Sequence, residues 1–293
     1  MNRRETLRML GLATLSAGAL PVILRSGDPA VLDARKASGI LGTIAVDRSL
    51  QALVGQSYGK LVGAVGLHFR DTPYIAGTLE GDREVCRVVL SGVDCVTFFE
   101  STIAIANLLE TGSELSLAVL ADVVTKTRYR NGVVDGYTSR LHYFVDWVAD
   151  NAMRGRVIDV TSELDGATKD KRTIDFMSTH RSAYAALKTD DAALGRIREI
   201  ETTLNGQERW YLPKSKISES APGIETGDII GITTSIQGLD VSHTGLAYRD
   251  DNDVVRLLHA STSKKKVVLD ASIASYISGN RKQTGIIVAR PLP

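Results

Sequence analysis

Residues 91–100, SGVDCVTFFE, put a cysteine at the point where a turn gives way to an apolar run. Asp94 is a residue type that favours the N-cap of a helix, which makes Cys95 the first predicted helical residue. Beyond it, apolar residues recur at helical spacing as far as Leu109. A thiol at a helix start feels the positive end of the helix dipole, and the unpaired amides there stabilise a thiolate. The stretch therefore predicts a helix that begins at a candidate nucleophile.

The two cysteines of the chain, Cys86 and Cys95, admit a structural role as well. In an oxidising compartment the two thiols can form a disulfide with a short loop. A cysteine at a helix start is also often a small packed residue. The position of Cys95 alone leaves the catalytic, packing and disulfide roles open.

Composition and charge are those of a soluble globular enzyme. The 293 residues are 43% apolar and 24% charged, and the formal net charge is +1. Basic and acidic residues are well mixed, so no patch indicates a nucleic-acid partner. The length is enough for one large domain, or for one domain that carries an insertion.

The first 25 residues differ from the rest of the chain and predict an export signal. Arg3 and Arg4 form a pair that resembles a twin-arginine motif, and a mildly apolar stretch rich in Gly and Ala runs from Met9 to Leu24. This stretch is too short and too rich in small residues for a membrane span. We therefore expect a periplasmic or secreted protein, without a stable span after signal removal. An ordinary amphipathic first helix is the alternative.

Turn signals break residues 26–45, which are predicted to be a linker, and residues 46–293 are predicted to form the folded domain. Residues 84–90, EVCRVVL, have strand character. The predicted helices cover about residues 47–61, 95–109, 114–128 and 139–151. Asp47 caps the first of them and Ser139 the last. An insertion at about residues 112–208 is predicted to be helical.

The carboxyl-terminal third of the chain changes its hydrophobic period. Its short β-rich runs, separated by polar turns, are GDIIGITT, HTGLAYR, VVRLLHAS, KVVLD and GIIVARP. Helices followed by a run of antiparallel-type strands predict an α+β fold, with helices packed on an antiparallel sheet. The helix that begins at Cys95 is expected to pack on this sheet.

Two of the five histidines lie in these predicted strands: His243 opens one strand and His259 closes the next. In a hairpin the start of one strand faces the end of the other, so both imidazoles are expected at the same edge of the sheet. Each histidine alone is more often a satisfied strand residue. A nucleophilic thiol, however, needs a base and a group that orients the base. The combination with Cys95 therefore indicates a catalytic site.

The segments DCVTFFE, GDIIGI, SHTGLAYR and LLHAS resemble the papain-like cell-wall cysteine hydrolases of the NlpC type. The resemblance implies that Cys95 is the nucleophile, His243 the base and His259 its orienting partner. The segment TPYIAGTLE resembles the one upstream of the nucleophile in that family. There Tyr74 matches a tyrosine that helps to bind substrate or to polarise the carbonyl group.

A closer resemblance, from about Thr72 to Pro293, is to the N-acetylmuramoyl-L-alanine amidase-like subgroup. It rests on TPYIAGTLE, DCVTFFE, RYRNGVVDGYTSRLHYFVDW, GLDVSHTGLAYR and LLHAS, in this order. FFE stands where the subgroup commonly has Phe-Val-Glu, and the turn between the histidines is longer than in typical NlpC enzymes. The resemblance implies a papain-like (NlpC-type) fold with an extra helical block. It also implies an exported bacterial enzyme that cuts between N-acetylmuramic acid and L-alanine in peptidoglycan fragments (muropeptides), without a cofactor or metal.

Tyr137, Arg140 and His142 of this block are candidates for the substrate groove, since an arginine suits a peptide carboxylate. Three alternatives stay open. The first is a D,L-endopeptidase that cuts within the stem peptide, and the second is a zinc amidase, although the chain has no HExxH motif. The third is a non-catalytic muropeptide-binding module with a disulfide between Cys86 and Cys95.

Overall fold

The computed structural model describes residues 34–293. The predicted export signal and residues 26–33 of the predicted linker lie outside the described residues. The helices are α1 (Ala34–Val46), α2 (Arg48–Gln51), α3 (Tyr58–His68), α4 (Cys95–Glu110), α5 (Leu117–Arg128), α6 (Phe144–Met153), α7 (Phe176–Thr179), α8 (Asp191–Gly206), α9 (Ile217–Ser220) and α10 (Ile273–Ser278). The strands are β1 (Val157–Asp159), β2 (Thr168–Lys169), β3 (Trp210–Pro213), β4 (Ile229–Thr234), β5 (Val241–Arg249), β6 (Val255–Ser261), β7 (Lys266–Ser272) and β8 (Gln283–Pro291). Between residues 34 and 293, no helix is long and apolar enough to cross a membrane.

The second half of the predicted linker is a helix, which corrects the assignment of residues 26–45. In α1, the side chains of Leu41 and Ile44 are buried in the core. Apolar residues at helical spacing pack against the domain, and this packing outweighs the turn tendency of the neighbouring glycines.

The helix predicted for residues 47–61 is interrupted. Asp47 does cap a helix, since its carboxylate accepts a hydrogen bond from the N–H of Ser49 at 2.8 Å, but this helix is only the short α2. The chain then turns at Gly55, whose φ of +69° is open to glycine at little cost. The longer helix, α3, begins after this turn and ends at His68.

One eight-stranded sheet organises the domain, in the order β2-β3-β8-β4-β5-β6-β7, with β1 paired to β8 as a branch. All of these strand pairs are antiparallel. The five β-rich runs of the carboxyl-terminal third form β4 to β8. The predicted α+β fold, with helices on an antiparallel sheet, is confirmed.

Residues 84–90, predicted to be a strand, pair with no strand of residues 34–293. Arg128 Nη1 donates a hydrogen bond to the carbonyl oxygen of Arg87 at 2.5 Å, and the Tyr129 hydroxyl donates to that of Val85 at 3.0 Å. Side-chain donors thus take up backbone acceptors that a neighbouring strand would otherwise use.

The block at residues 112–208 is rich in helix but also contains β1 and β2, and β1 joins it to the main sheet. The helix predicted for residues 139–151 starts later than predicted, because residues 137–139 form a 3₁₀ turn and α6 begins at Phe144. The hydrogen-bond acceptor at the amino terminus of α6 comes from a distant segment. The carboxylate of Asp240 accepts a hydrogen bond from the N–H of Val145 at 3.0 Å.

Both faces of the central strands are buried. On one face α4 packs against β5 and β6, with α3 and α5 beside it. The strand residues buried on this side include Ile229, Leu246 and Leu258. On the other face Ile230, Ala247 and Leu257 pack with side chains of α9 and α10. This arrangement brings the amino terminus of α4 next to β5.

A buried ion pair ties the helices together behind the sheet. Arg128 Nε donates to Glu100 Oε2 at 2.7 Å, and Trp147 Nε1 donates to Glu100 Oε1 at 3.2 Å. The Glu100 and Arg128 side chains are 1% and 2% exposed. The pair therefore links α4, α5 and α6, and each charge depends on its partner for compensation.

Candidate active site

The amino terminus of α4 is closed by a reciprocal cap. The Asp94 carboxylate accepts hydrogen bonds from the N–H groups of Val96 (3.1 Å) and Thr97 (2.8 Å), and Thr97 Oγ1 accepts one from the Asp94 N–H (2.9 Å). The N–H of Cys95 has no hydrogen-bond partner among residues 34–293. The cap places the helix start at the predicted residue and leaves this N–H available to a ligand.

Cys95 lies against strand β5, and its thiol is protonated at neutral pH. Thr244 Oγ1 donates a hydrogen bond to the carbonyl oxygen of Cys95 at 2.9 Å, which joins the first turn of α4 to β5. Burial, and then the charge of Asp94, raise the pKa of the thiol to about 11, although hydrogen bonds from Thr244 oppose the shift. A preformed thiolate was expected from the helix dipole alone. Desolvation of the sulfur outweighs the dipole here.

His243 sits beside a bulge in strand β5. Ile232 of β4 pairs with His243, but the next β4 residue, Thr233, pairs with Val241. Ser242 is therefore the extra residue. A bulge of this kind bends a strand locally and re-aims its side chains.

The β5–β6 hairpin brings the two strand histidines into contact. Leu246 pairs with Leu258, which puts Gly245 opposite His259 and makes His243 the diagonal neighbour of His259. His243 Nε2 lies 2.6 Å from His259 Nδ1, and the two rings meet edge to face with their centroids 4.8 Å apart. The two imidazoles therefore lie together, as the hairpin interpretation of the sequence requires.

Burial keeps both imidazoles neutral. It lowers the pKa of His243 to about 3, with His259 adding to the shift, and it lowers the pKa of His259 to about 4 against the opposing hydrogen bond to Asp270. In the described part of the chain, His243 Nδ1 makes no hydrogen bond, and none joins Cys95 Sγ to an imidazole. A neutral imidazole with a free ring nitrogen can act as a general base, and such catalytic hydrogen bonds often tighten only when substrate binds.

Tyr276 of α10 covers the histidine pair. Its ring centroid lies 5.0 Å from that of His259 and 6.3 Å from that of His243. Burial raises the pKa of Tyr276 to about 12, and the charge of Asp270 acts in the same direction. The ring shields the imidazoles from water, and its hydroxyl stays protonated.

Tyr74 is held beside the cysteine by backbone pairing. Its N–H donates to the carbonyl oxygen of Lys265 at 2.9 Å, and the N–H of Ile75 donates to that of Val93 at 3.0 Å, two residues before Cys95. Burial, and then the nearby Cys95, raise the pKa of Tyr74. Its hydroxyl is thus a protonated donor close to the thiol.

Tyr137, Arg140 and His142 form a cluster of their own. The Arg140 guanidinium carbon and the centroid of the His142 ring lie 4.9 Å and 4.4 Å from the centroid of the Tyr137 ring. Arg140 is only 5% exposed, and its guanidinium contacts Glu80 at 3.0 Å and Glu84 at 3.3 Å. Two carboxylates therefore already compensate the charge that was expected to meet a peptide carboxylate.

Cys86 is a free thiol in the core and is not bonded to Cys95. Its Sγ donates to the carbonyl oxygen of Ala121 at 3.6 Å. The structure therefore lacks the disulfide on which the non-catalytic alternative depended. Within residues 34–293, no group of three or more His, Cys, Asp or Glu side chains is arranged to hold a metal ion.

Three residues of the site were not identified from the sequence: Thr244, Asp270 and Tyr276. Asp270 Oδ2 lies 3.4 Å from His259 Nε2, across the β6–β7 pair. The available signal was a carboxylate at the end of the apolar run KVVLD, on a strand expected to neighbour that of His259. Tyr276 had no such signal, because only the turn of the chain into α10 brings its ring over the imidazoles.

Comparison with known proteins places the chain in a family. Residues 64–286 match the family model AmiA-like, N-acetylmuramoyl-L-alanine amidase-like. No curated protein sequence matches the chain. A crystal structure of an N-acetylmuramoyl-L-alanine amidase from Bacteroides uniformis has 38% sequence identity and a TM-score of 0.75, over 80% of this chain and 99% of that chain.

Two further solved structures share the fold. A Bacteroides fragilis protein, proposed to be a xylanase, has 38% identity and a TM-score of 0.70, over 77% of this chain and 98% of its own. A Legionella pneumophila protein has 23% identity and a TM-score of 0.64, over 89% and 96% of the two chains, and supports the fold alone. The family model and the Bacteroides uniformis relative show that the chain belongs to the AmiA-like, N-acetylmuramoyl-L-alanine amidase-like family.

Proposed function

We propose that the protein is a cysteine-dependent peptidoglycan amidase of the papain-like, NlpC type. It hydrolyses the amide bond between N-acetylmuramic acid and L-alanine in muropeptides. The observation that carries the proposal is Cys95 at a helix start, joined to the strand of His243, whose Nε2 is bonded to His259. Membership of the AmiA-like family and the name of the Bacteroides uniformis relative support the choice of bond.

The reaction begins with a proton transfer that accompanies attack. His243 Nδ1 accepts the thiol proton while the sulfur of Cys95 bonds to the carbonyl carbon, so that an S–H bond breaks and S–C and N–H bonds form. Negative charge develops on the carbonyl oxygen. The N–H of Cys95 and the hydroxyl of Tyr74 are the donors assigned to this oxyanion, since donors of this kind stabilise it.

The second half of the reaction releases the peptide and then the sugar. The His243 imidazolium gives its proton to the amine of L-alanine as the C–N bond breaks, leaving a thioester on Cys95. Water then attacks the thioester carbon while His243 takes one of its protons. The S–C bond breaks, the proton passes from His243 to the sulfur of Cys95, and the muramoyl carboxylate departs. One proton acceptor thus serves both steps.

Within this proposal, Tyr137 and His142 line the part of the substrate groove that contacts the sugar. Both are half-buried aromatic rings, and Nε2 of His142 is hydrogen-bonded to the carbonyl oxygen of Tyr137 at 2.8 Å. Burial lowers the pKa of His142 to about 3, so this ring is neutral, as suits contact with an uncharged sugar. Arg140 supports the cluster through its two glutamates. The substrate polymer lies outside the cytoplasm, so the proposal includes export by the twin-arginine route, which cell fractionation tests.

The products of one defined muropeptide test the choice of bond. An N-acetylmuramoyl-peptide is expected to yield a free peptide that begins with L-alanine, plus the intact sugar, as measured by mass spectrometry. A stem peptide without the sugar is expected to be cut poorly, because the binding energy of the sugar is then missing from the transition state. Release of L-alanyl-D-glutamate from either substrate would instead establish the D,L-endopeptidase.

Gly245→Ala is expected to slow hydrolysis by about a hundredfold, the scale of a small misplacement of a catalytic group. The added Cβ would lie 2.9 Å from the Cβ of His259 and 2.9 Å from the carbonyl oxygen of Leu258, so the His259 ring must move away from His243. Steady-state kinetics measure the loss, and thermal melting checks the fold. Gly195→Ala is the matched control, since its Cβ meets nothing within 4 Å. Full activity of a folded Gly245→Ala variant would show that the histidine contact is dispensable.

A further inference from the structure

The histidine pair contacts a third polar side chain, the carboxylate of Asp270. Beyond the His243–His259 bond, His259 Nε2 lies 3.4 Å from Asp270 Oδ2, and Lys264 Nζ lies 2.9 Å from the same oxygen. His259 is fully buried, whereas the Lys264 side chain is 49% exposed. A chain of polar contacts therefore runs from the site to the surface through Asp270, a residue to which the proposed reaction gives no role.

Asp270 is an ionised acceptor in this chain. Burial alone would raise its pKa, but hydrogen bonds from Lys264, the Ala271 N–H and His259 outweigh burial and hold the pKa below its ordinary value. Its Oδ1 accepts from the Ala271 N–H at 2.8 Å, which fixes the orientation of the carboxylate. A carboxylate accepts hydrogen bonds and donates none.

The direction of every hydrogen bond follows from this acceptor. Because Asp270 only accepts, Nε2 of His259 carries its proton. A neutral imidazole has one N–H, so His259 Nδ1 accepts, and His243 Nε2 must then be the donor. Nδ1 of His243 is left with a lone pair. This nitrogen is the one that takes the thiol proton in the proposed reaction.

We infer that Asp270 is a positioning residue, which sets the tautomers of His259 and His243 and so makes His243 Nδ1 a proton acceptor. The inference rests on the proposed proton transfer from Cys95 to His243 and not on the identity of the bond cut. The other groups that face the two rings are Tyr276, which is neutral, and Lys264, which pairs with Asp270. Neither supplies an acceptor to His259 in place of the carboxylate.

Asp270→Asn and Asp270→Ala together test this role. In the asparagine variant the amide oxygen is needed to accept from the Ala271 N–H, so the NH₂ group replaces Oδ2, faces His259 Nε2 and donates to it. The half-exposed Lys264 ammonium, which loses its acceptor, turns to water. Both histidines then adopt the opposite tautomer, so that His243 Nδ1 carries a proton and cannot accept one from Cys95. We expect Asn to slow the reaction by about 10³- to 10⁴-fold, the upper figure being the loss known for a wrong histidine tautomer. Ala, which leaves room for water, should slow it by only about tenfold.

Two readouts separate this inference from the choice of substrate. The first is the rate of Cys95 alkylation by iodoacetamide between pH 6 and pH 10, followed by mass spectrometry of the Cys95 peptide; the second is muropeptide hydrolysis. We expect alkylation at neutral pH to fall in the order wild type, Ala, Asn, with the difference between the variants narrowing towards pH 10, where a growing fraction of the thiol ionises without a base. Asp253→Asn, an exposed turn residue with a side chain 83% accessible, is the charge-matched control and should match wild type.

A merely structural role predicts the opposite order, because asparagine preserves the shape of the side chain better than alanine does. An alkylation rate in Asn equal to or above that in Ala would overturn the inference, even if the muropeptide is still cut. The expected order of alkylation without any muropeptide cleavage would support the inference and contradict the proposed function. Circular dichroism of both variants confirms that they are folded when compared.

Discussion

Cys95→Ala is expected to reduce amide hydrolysis by about 10⁴-fold or more, since the loss of a nucleophile removes the covalent route altogether. The fold should not change, because the helix cap is made by Asp94 and Thr97 and the bond from Thr244 goes to the backbone carbonyl of residue 95. Turnover of a defined muropeptide, measured by chromatography with a long incubation, gives the size of the loss.

Cys86→Ala is the matched control for this experiment, because it makes the same substitution at the other cysteine. Cys86 is 4% exposed and lies in the core against Ala121, so its replacement costs packing and leaves the chemistry in place. We expect its specific activity to stay within about twofold of wild type, with a lower melting temperature. Equal losses of activity in the two variants would contradict the assignment of Cys95 as nucleophile.

Arg128→Ala is expected to destabilise the domain by about 3–5 kcal/mol, which is a large part of the stability of a typical domain. The change leaves the Glu100 carboxylate buried, with only the indole N–H of Trp147 as a partner. It also removes the donor to the carbonyl oxygen of Arg87. Urea unfolding followed by circular dichroism measures the loss, provided that the transition is reversible.

Lys216→Ala serves as the comparison for this variant. It breaks an exposed ion pair with Glu219, three residues along α9, and should leave the unfolding midpoint unchanged. Double replacement of Glu100 and Arg128 by Gln and Met should recover part of the stability, because no uncompensated charge is then buried. If Arg128→Ala unfolds at the same urea concentration as wild type, the buried pair does not tie the helices together.

Local sequence signals predicted the elements that depend on nearby residues. The start of α4 follows from the Asp94 side chain, which reaches N–H groups two and three residues away. The strands β4 to β8 follow from β-rich runs bounded by polar turns. The prediction of a strand at residues 84–90 was wrong because Arg128, the last residue of α5, and Tyr129, which follows it, donate side-chain hydrogen bonds to backbone carbonyl groups of this segment. These donors are about 40 residues away along the chain.

The histidine pair was partly predictable for the same reason. A short hairpin brings His243 and His259 to one edge of the sheet whatever the rest of the fold does. Their protonation was not predictable. The lowered pKa values of both rings and the raised pKa of Cys95 come from desolvation, which depends on everything that packs around them.

The sequence by itself determined the family, the helix start at Cys95 and the five strand segments of the carboxyl-terminal third, because each of these depends on short-range periodicity, capping and recognisable segments. Only the tertiary structure decided that the resting thiol of Cys95 is neutral and that the Asp270 carboxylate contacts the His259 imidazole. It also decided that Glu80 and Glu84 contact the Arg140 guanidinium. The physical reason is that burial and charge compensation are sums over neighbours from distant parts of the chain, and no local pattern carries them.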